Sequence, residues 1–288
     1  MILQESYTLP NGVSVPKLGL GTWMVDDATV AKAVEEAVAL GYRHIDTAQA
    51  YGNEAGVGKG IAAVSLPRNE LFITTKLAAE IKSYDEAVAA IDGSLAKLGV
   101  DTIDLMIIHS PQPWRQFGDE DRFVEGNREA WRALEDAYKA GKLRAIGVSN
   151  FEKGDLESLN ATATVPVMVN QVLAHISNTP AELIAYCQDN NILVQAYSPI
   201  AHGELLKNDA VVAMADKYGV SVPQLSIRYD LQLGLQPLPK TANPEHMKSN
   251  AAVDFVISDE DMQTLKDLPQ IDNYGDASFM PVFGGKLP

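Results

Sequence analysis

Cysteine is almost missing from this chain: Cys187 is the only one in 288 residues, so no intrachain disulfide can form. It lies in the apolar-patterned stretch Leu183–Cys187 and reads as a buried thiol rather than a nucleophile. Basic charge is scarce as well. Acidic residues number 38 against 23 basic ones, giving a formal net charge of −15. A field of that sign repels DNA, RNA and anionic membranes, so neither nucleic acid nor membrane is an expected partner. The acid is spread along the chain with no acidic tail, the pattern of a solvated surface. An anionic ligand would need a local basic pocket. Long hydrophobic runs are absent too: none approaches the ~18 residues of a membrane span. The amino-terminal segment MILQESYTLPNG lacks the basic-then-apolar layout of a signal peptide. The expectation is a soluble, cytoplasmic protein.

Other absences narrow the architecture. There is no Pro/Gly/Ser-rich linker, no low-complexity segment, and no repeat of roughly 20–50 residues with a shared motif. No His-x-His pair or other dense ligand cluster occurs, so no metal is expected. No Gly-x-Gly-x-x-Gly phosphate turn follows a strand; Gly56-Val57-Gly58-Lys59-Gly60 ends in Ile61 within a helical stretch.

What is present is a long alternation. Leu9-Pro10-Asn11-Gly12-Val13 places an Asn-Gly pair between short alternating segments and predicts a β-hairpin with a tight turn. Strand-like runs follow at Lys17–Trp23, Tyr42–Ala48, Leu71–Leu77, Ile103–His109, Ala145–Asn150, Val167–Val172, Ile192–Ser198 and Leu235–Lys240. Several are near-continuous Ile/Val/Leu runs, as strands buried on both faces should be. Amphipathic helices separate them. Ser83-Tyr84-Asp85-Glu86 has the form of a capping box, and Thr179-Pro180-Ala181-Glu182 offers an N-cap, a first-turn proline and a capping glutamate. A stripe of Ala130, Trp131, Leu134, Ala137 and Tyr138 is stopped by Gly141, and Ser258–Leu268 reads as a final helix. A doubly wound open sheet also satisfies such alternation. One unbroken series of eight units over residues 1–288 favours a single (β/α)₈ TIM-barrel domain, with an N-terminal β-hairpin and a C-terminal helix and loop.

In a barrel, function gathers at the C-terminal ends of the strands. Asp46, Lys76 and His109 close three consecutive strand candidates, and Tyr51 follows in the loop Gln49–Gly52. Their ends are neighbours on the rim, so Asp, Lys, His and Tyr can meet. That set suits proton donation to a carbonyl that is receiving hydride. Tyrosine has a reference pKa near 10, and an ammonium beside it should lower that value. Lys76 can supply the ammonium, Asp46 can hold it charged, and His109 can orient the carbonyl oxygen. A Schiff-base lysine remains open on spacing alone, as does a metal-ligand role for His44 and Asp46, which share one strand face.

Gly41-Tyr42-Arg43-His44-Ile45-Asp46-Thr47-Ala48, with Tyr51 and Asn53-Glu54, resembles the first signature of the aldo-keto reductases. Ala145-Ile146-Gly147-Val148-Ser149-Asn150-Phe151 is similar to the second. Pro239-Lys240-Thr241 through Asn250 resembles the third, and Gly19-Leu20-Gly21-Thr22-Trp23 matches the family's first strand. The likeness runs from about Leu9 to Asn250 and is nearest to the bacterial diketogluconate-reductase-like branch. It implies reduction of small aldehydes, ketones or α-dicarbonyls to alcohols with NADPH, and with NADH as a second cofactor. Tyr51 would be the proton donor, partnered by Asp46, Lys76 and His109. Gly21, Thr22, Ser149, Asn150, Gln171, Tyr197 and Ser198 would lie along the cofactor. Ser149, Asn150 and Gln171 would hold its carboxamide, and Tyr197 would stack on its ring. Lys240, Thr241, His246 and Asn250 would surround the adenosine phosphate. Trp23, His109, Ser110 and Trp114 would line the substrate pocket. Two positions depart from the family pattern. Ser110 stands where tryptophan is common, and His246 where arginine is usual, which puts the margin of NADPH over NADH in question. The resemblance also implies a monomer and a C-terminal segment that folds over the substrate. A rival reading within the same fold is a cofactor-binding regulatory protein with little turnover.

Overall fold

The computed structural model describes residues 1–287. The chain enters through an antiparallel hairpin of β1 (Ser6–Thr8) and β2 (Ser14–Pro16). Its turn is one residue longer than the tightest form. Leu9 N donates to Val13 O at 2.9 Å and Gly12 N to Leu9 O at 2.8 Å, with Gly12 at φ 84°. Pro10, Asn11 and Gly12 thus form the loop, and the left-handed third residue is where glycine is favoured.

The series that follows is β3 (Leu20–Gly21), α1 (Asp27–Ala39), β4 (His44–Asp46), α2 (Glu54–Ala63), β5 (Phe72–Leu77), α3 (Tyr84–Leu98), β6 (Ile103–Ile108) and α4 (Val124–Lys139). It continues with β7 (Leu143–Ser149), α5 (Lys153–Asn160), β8 (Val169–Leu173), α6 (Ala181–Asp189) and β9 (Leu193–Tyr197). Helices α7 (Asp209–Tyr218) and α8 (Val222–Gln232) precede β10 (Gln236–Leu238), and α9 (Pro244–Ala251) and α10 (Asp259–Lys266) close the series. Strands β3 to β10 pair in parallel, each with the next. The ends of the sheet meet: Gly19 N donates to Pro237 O at 3.3 Å, Gly21 N donates to Pro239 O at 3.0 Å, and Gly21 bridges Lys240 in parallel. Closure rules out the open doubly wound sheet and makes this a (β/α)₈ barrel. Every residue of β5 and β6 is buried, because one face fills the barrel and the other meets the helices.

Two expected helix caps form differently. Ser83 is the N-cap of α3, but its hydroxyl donates to Glu86 Oε2 at 2.7 Å instead of accepting from the helix backbone. Thr179 does not cap α6, which begins after Pro180. Its Oγ1 is drawn to Tyr229 Oη at 2.7 Å and to His175 O at 3.3 Å. Asp26, Ser221 and Ser258 do cap α1, α8 and α10 through their side chains, each contact being worth roughly 1 kcal/mol. The glycine-rich Gly56–Gly60 stretch lies inside α2, where it lets α2 approach α1: a Cβ at Gly60 would stand 2.6 Å from Ala31 O.

Asp230, on α8, is fully buried, and neither carboxylate oxygen has a hydrogen-bond partner among the described residues. Burial pushes its carboxyl well above the usual carboxylate range. Cys187 is buried and free, its thiol raised to about 11 by burial.

Candidate active site

At the C-terminal ends of the strands the barrel opens into a cavity of about 860 Å³. Asp46 ends β4, Lys76 projects inward from β5, and His109 follows β6, so consecutive parallel strands deliver all three to one rim. Tyr51 closes a 3₁₀ turn, Gln49–Tyr51, just after β4. Lys76 is wholly buried. Its Nζ donates to Asp46 Oδ1 at 2.5 Å, to Thr47 O at 2.9 Å and to Tyr51 Oη at 3.2 Å. All three ammonium hydrogens are thereby used. Asp46 Oδ2 accepts from Gln171 Nε2 at 2.9 Å. The four side chains expected to cooperate are therefore brought together, with the rings of Tyr51 and His109 edge to face at 5.8 Å.

The electrostatics depart from expectation at Tyr51. The Lys76 charge was expected to lower its pKa, yet the phenol is raised. Enclosure, first, and the Asp46 carboxylate outweigh the pull of Lys76. Lys76 is itself raised, because Asp46 and Tyr51 together outweigh its desolvation. The phenol thus holds its proton, and the ammonium beside it holds its charge. His109 is pushed well below the usual imidazole range by burial and by Lys76, so its ring is neutral. Its Nδ1 is buried without a partner among the described residues, which leaves Nε2 as the nitrogen open to the cavity.

The expected cofactor positions line the same cavity: Gly21, Thr22, Ser149, Asn150, Gln171 and Tyr197, then Ser198, Lys240, Thr241, His246 and Asn250. Ser149 Oγ donates to Gln171 O at 2.8 Å, Asn150 Nδ2 donates to His109 O at 3.0 Å, and Tyr197 Oη donates to Asn150 Oδ1 at 2.7 Å. Asn150 is held in the left-handed region at φ 61°, which aims its amide back along the rim. The residues present suit an elongated anionic dinucleotide. Lys240 has no ion-pair partner among the described residues, and it stands on the cavity wall close to α9, which carries His246 and Asn250.

On the substrate side, Trp23 and Trp114 line the cavity, and Trp114 packs edge to face on His109 at 5.1 Å. Ser110 does not line it. The residue is fully buried, its hydroxyl accepts from Gln112 N at 3.2 Å, and its carbonyl accepts from Lys82 Nζ at 3.0 Å. The chain turns inward directly after His109, so Ser110 points into the fold and Trp114 fills the wall. His202 is a lining residue that sequence reasoning missed. It lies on a loop with left-handed Ser198, Ala201 and His202, between Trp23 at 5.2 Å and Phe283 at 4.9 Å. No motif marks it. Phe279, Met280, Val282 and Phe283 bring the C-terminal segment to the cavity, anchored by Tyr274, which stacks on Phe283 at 4.6 Å and lies 3.1 Å from His175 Nε2. One other tyrosine–lysine pair has a spacing used by some reductases, Tyr138 and Lys142. It lies at the end of α4, where Lys142 pairs with Asp92 at 2.6 Å, and neither residue lines the cavity.

Known proteins resemble this chain over most of its length. The sequence profile of the Aldo/keto reductase family matches residues 17–269. The oxidoreductase YtbE of Bacillus subtilis (strain 168) is 43% identical over 270 residues, spanning 91% of this chain and 92% of the relative. Glyoxal reductase from the same organism is 40% identical over 275 residues, spanning 95% and 96%. Among solved structures, a Bombyx mori aldo-keto reductase (AKR2E4) in complex with NADP superposes with a TM-score of 0.83 at 32% identity, covering 95% of both chains.

Proposed function

The chain belongs to the aldo/keto reductase family and is an NAD(P)H-dependent carbonyl reductase, and on that footing we propose that it reduces small aldehydes, ketones and α-dicarbonyls to alcohols. The observation that carries this reading is the Lys76 ammonium, buried beneath the cavity and bonded to both Asp46 and Tyr51. A reduced nicotinamide cofactor, when bound, supplies the hydride to the carbonyl carbon. Tyr51 gives its proton to the carbonyl oxygen as negative charge develops there. Lys76, 3.2 Å away, stabilises the phenolate left behind. Asp46 keeps Lys76 charged, and neutral His109 offers Nε2 to orient the oxygen. With Lys76 committed to three hydrogen bonds and raised in pKa, it is a poor Schiff-base nucleophile.

Small dicarbonyls enter the substrate list because a relative 40% identical is a glyoxal reductase. The aromatic wall of Trp23, Trp114, Phe279 and Phe283 supports carbonyl compounds with an apolar portion. NADPH is the preferred cofactor in this reading, held at its extra phosphate by Lys240 and Thr241. NADH is also used, because His246 offers less than an arginine would. We assign Ser149, Asn150 and Gln171 to the nicotinamide carboxamide and Tyr197 to its ring. We read the protein as one barrel domain, a cytoplasmic monomer near the bacterial diketogluconate-reductase-like branch. The test is oxidation of NADPH with a panel of aldehydes, ketones and glyoxals, for wild type and Tyr51→Phe. Turnover should fall by roughly 10²–10⁴ in the variant, the usual span for general acid catalysis, with cofactor affinity nearly unchanged. Near-normal turnover in Tyr51→Phe, or none in wild type with any of the panel, overturns the reading.

A further inference from the structure

The barrel interior beneath the cavity is filled with amides. Gln171 on β8, Gln195 on β9 and Gln236 on β10 are lateral neighbours in register, and all are buried. Gln171 Nε2 donates to Gln195 Oε1 at 2.9 Å, and Gln195 Nε2 donates to Gln236 Oε1 at 2.7 Å. Gln236 Nε2 then donates to Pro16 O at 2.5 Å and to His44 Nδ1 at 2.7 Å. His44 Nε2 completes the run to Thr74 Oγ1 at 2.8 Å. The chain reaches His44 because Gly19 leaves a gap: a Cβ there would stand 2.7 Å from His44 Nδ1.

An amide has donors on one atom and acceptors on the other, so such a chain has a direction. The Pro16 carbonyl can only accept, which obliges Gln236 to face it with Nε2 and to turn Oε1 toward Gln195. Gln195 must then give Nε2 to Gln236 and Oε1 to Gln171. Both hydrogens of Gln171 Nε2 are consumed, one by Gln195 and one by the Asp46 carboxylate. The carboxylate is also an acceptor, so the two ends of the chain demand the same orientation. The one atom of Gln171 left for the cavity is Oε1, an acceptor. A backbone carbonyl at the base of the barrel thus decides which face of an amide meets the ligand.

We propose that Gln195, backed by Gln236, is a positioning residue: it locks the Gln171 amide so that its oxygen reads a carboxamide NH₂ while its nitrogen steadies Asp46. This rests on the assignment of Gln171 to the nicotinamide end of the cavity. The probe is a pair of ligands, NADP⁺ and its 3-acetylpyridine analogue, in which a methyl replaces that NH₂ and the carbonyl is kept. Binding is followed by quenching of protein fluorescence. Wild type should favour NADP⁺ by roughly threefold to tenfold, the worth of one neutral hydrogen bond. In Gln195→Met the Gln171 amide keeps only the Asp46 carboxylate to orient it, and the preference should shrink to within about twofold. Gln195→Glu separates orientation from packing. Protonated, it accepts from Gln171 and donates to Gln236 as the amide does; ionised, it can only accept. At pH 5.5 it should therefore keep more of the preference than Gln195→Met, and keep it as pH rises, because both forms accept from Gln171. A folded Gln195→Met with the wild-type ratio, or a Gln195→Glu no better than Gln195→Met at pH 5.5, overturns the inference. Wild type that binds neither ligand overturns instead the cofactor reading beneath it.

Discussion

Replacing Asp230 by asparagine should shift stability progressively in the variant's favour as pH rises. The carboxyl is fully enclosed on α8 with both oxygens unpartnered among the described residues, and burial raises its pKa well above the usual range. A raised folded-state pKa contributes stability that is fully present below the unfolded value, near 3.9. That stability is lost as pH rises toward the folded value. Above pH 4 the unfolded chain releases this proton while the folded chain keeps it, so wild-type stability declines by up to about 1.4 kcal/mol per pH unit from this group alone. Asparagine is nearly the same size and does not titrate, so the variant lacks that slope. Its amide hydrogens meet no acceptor, which costs roughly 1–3 kcal/mol at every pH. The difference between variant and wild type should therefore start near zero or negative at pH 4.5. It should then move in the variant's favour as pH rises to 6.5, by at most about 1.4 kcal/mol per unit. Urea unfolding of both proteins at pH 4.5, 5.5 and 6.5 measures it, and groups common to both cancel in the difference. A difference that stays flat across those pH values would mean that Asp230 is ionised in the folded protein, and the reasoning from its enclosure would fail.

Other predictions concern the cavity and the thiol. His246→Arg should raise the preference for NADPH over NADH by roughly tenfold to a hundredfold, the worth of a charge-assisted hydrogen bond; kcat/KM with both cofactors measures it, and an unchanged ratio would remove His246 from the phosphate site. Deleting the chain from Ala277 onward strips Phe279, Met280, Val282 and Phe283 from the cavity wall. KM and substrate preference should then change by more than cofactor affinity does, and identical kinetics across several substrates would count against a substrate-facing role. Cys187 is buried, with its thiol raised to about 11, so it should resist Ellman's reagent in the native protein and react at once in denaturant. Rapid labelling of folded protein would contradict that burial.

Much of this site was legible because parallel strands in a barrel present their ends in order. Once Tyr42–Ala48, Leu71–Leu77 and Ile103–His109 were read as consecutive strands, Asp46, Lys76 and His109 had to be neighbours. His44 and Asp46 were correctly placed on one strand face, and both enter the barrel. What one strand cannot show is the depth at which a side chain finds its partner: His44 meets Gln236 and Thr74 at the base, while Asp46 meets Lys76 at the rim. The amide chain was invisible for the same reason, since Gln171, Gln195 and Gln236 are 65 positions apart end to end and meet only through register. Ser110 was misplaced because the turn after His109 sets its direction, and no residue pattern encodes that. Ser83 and Thr179 fit cap patterns, yet competing partners, Glu86 and Tyr229, took their hydroxyls. The pKa of Tyr51 went the other way because proximity to Lys76 can be read from order, whereas enclosure cannot.

Part of the cavity wall comes from the segment that follows α10, whereas Asp46, Lys76 and His109 stand at strand ends of a closed sheet. Tyr274, stacked on Phe283, fastens that segment to His175. The cavity wall and the Asp46–Tyr51–Lys76–His109 group are thus largely separable pieces of covalent structure. No strand lies in the segment from Tyr274 to Leu287, so exchanging that segment would not interrupt the sheet. A library varied only within that segment would therefore alter the cavity wall while Asp46, Tyr51, Lys76 and His109 keep their places, which makes the segment a direct place to begin redesign.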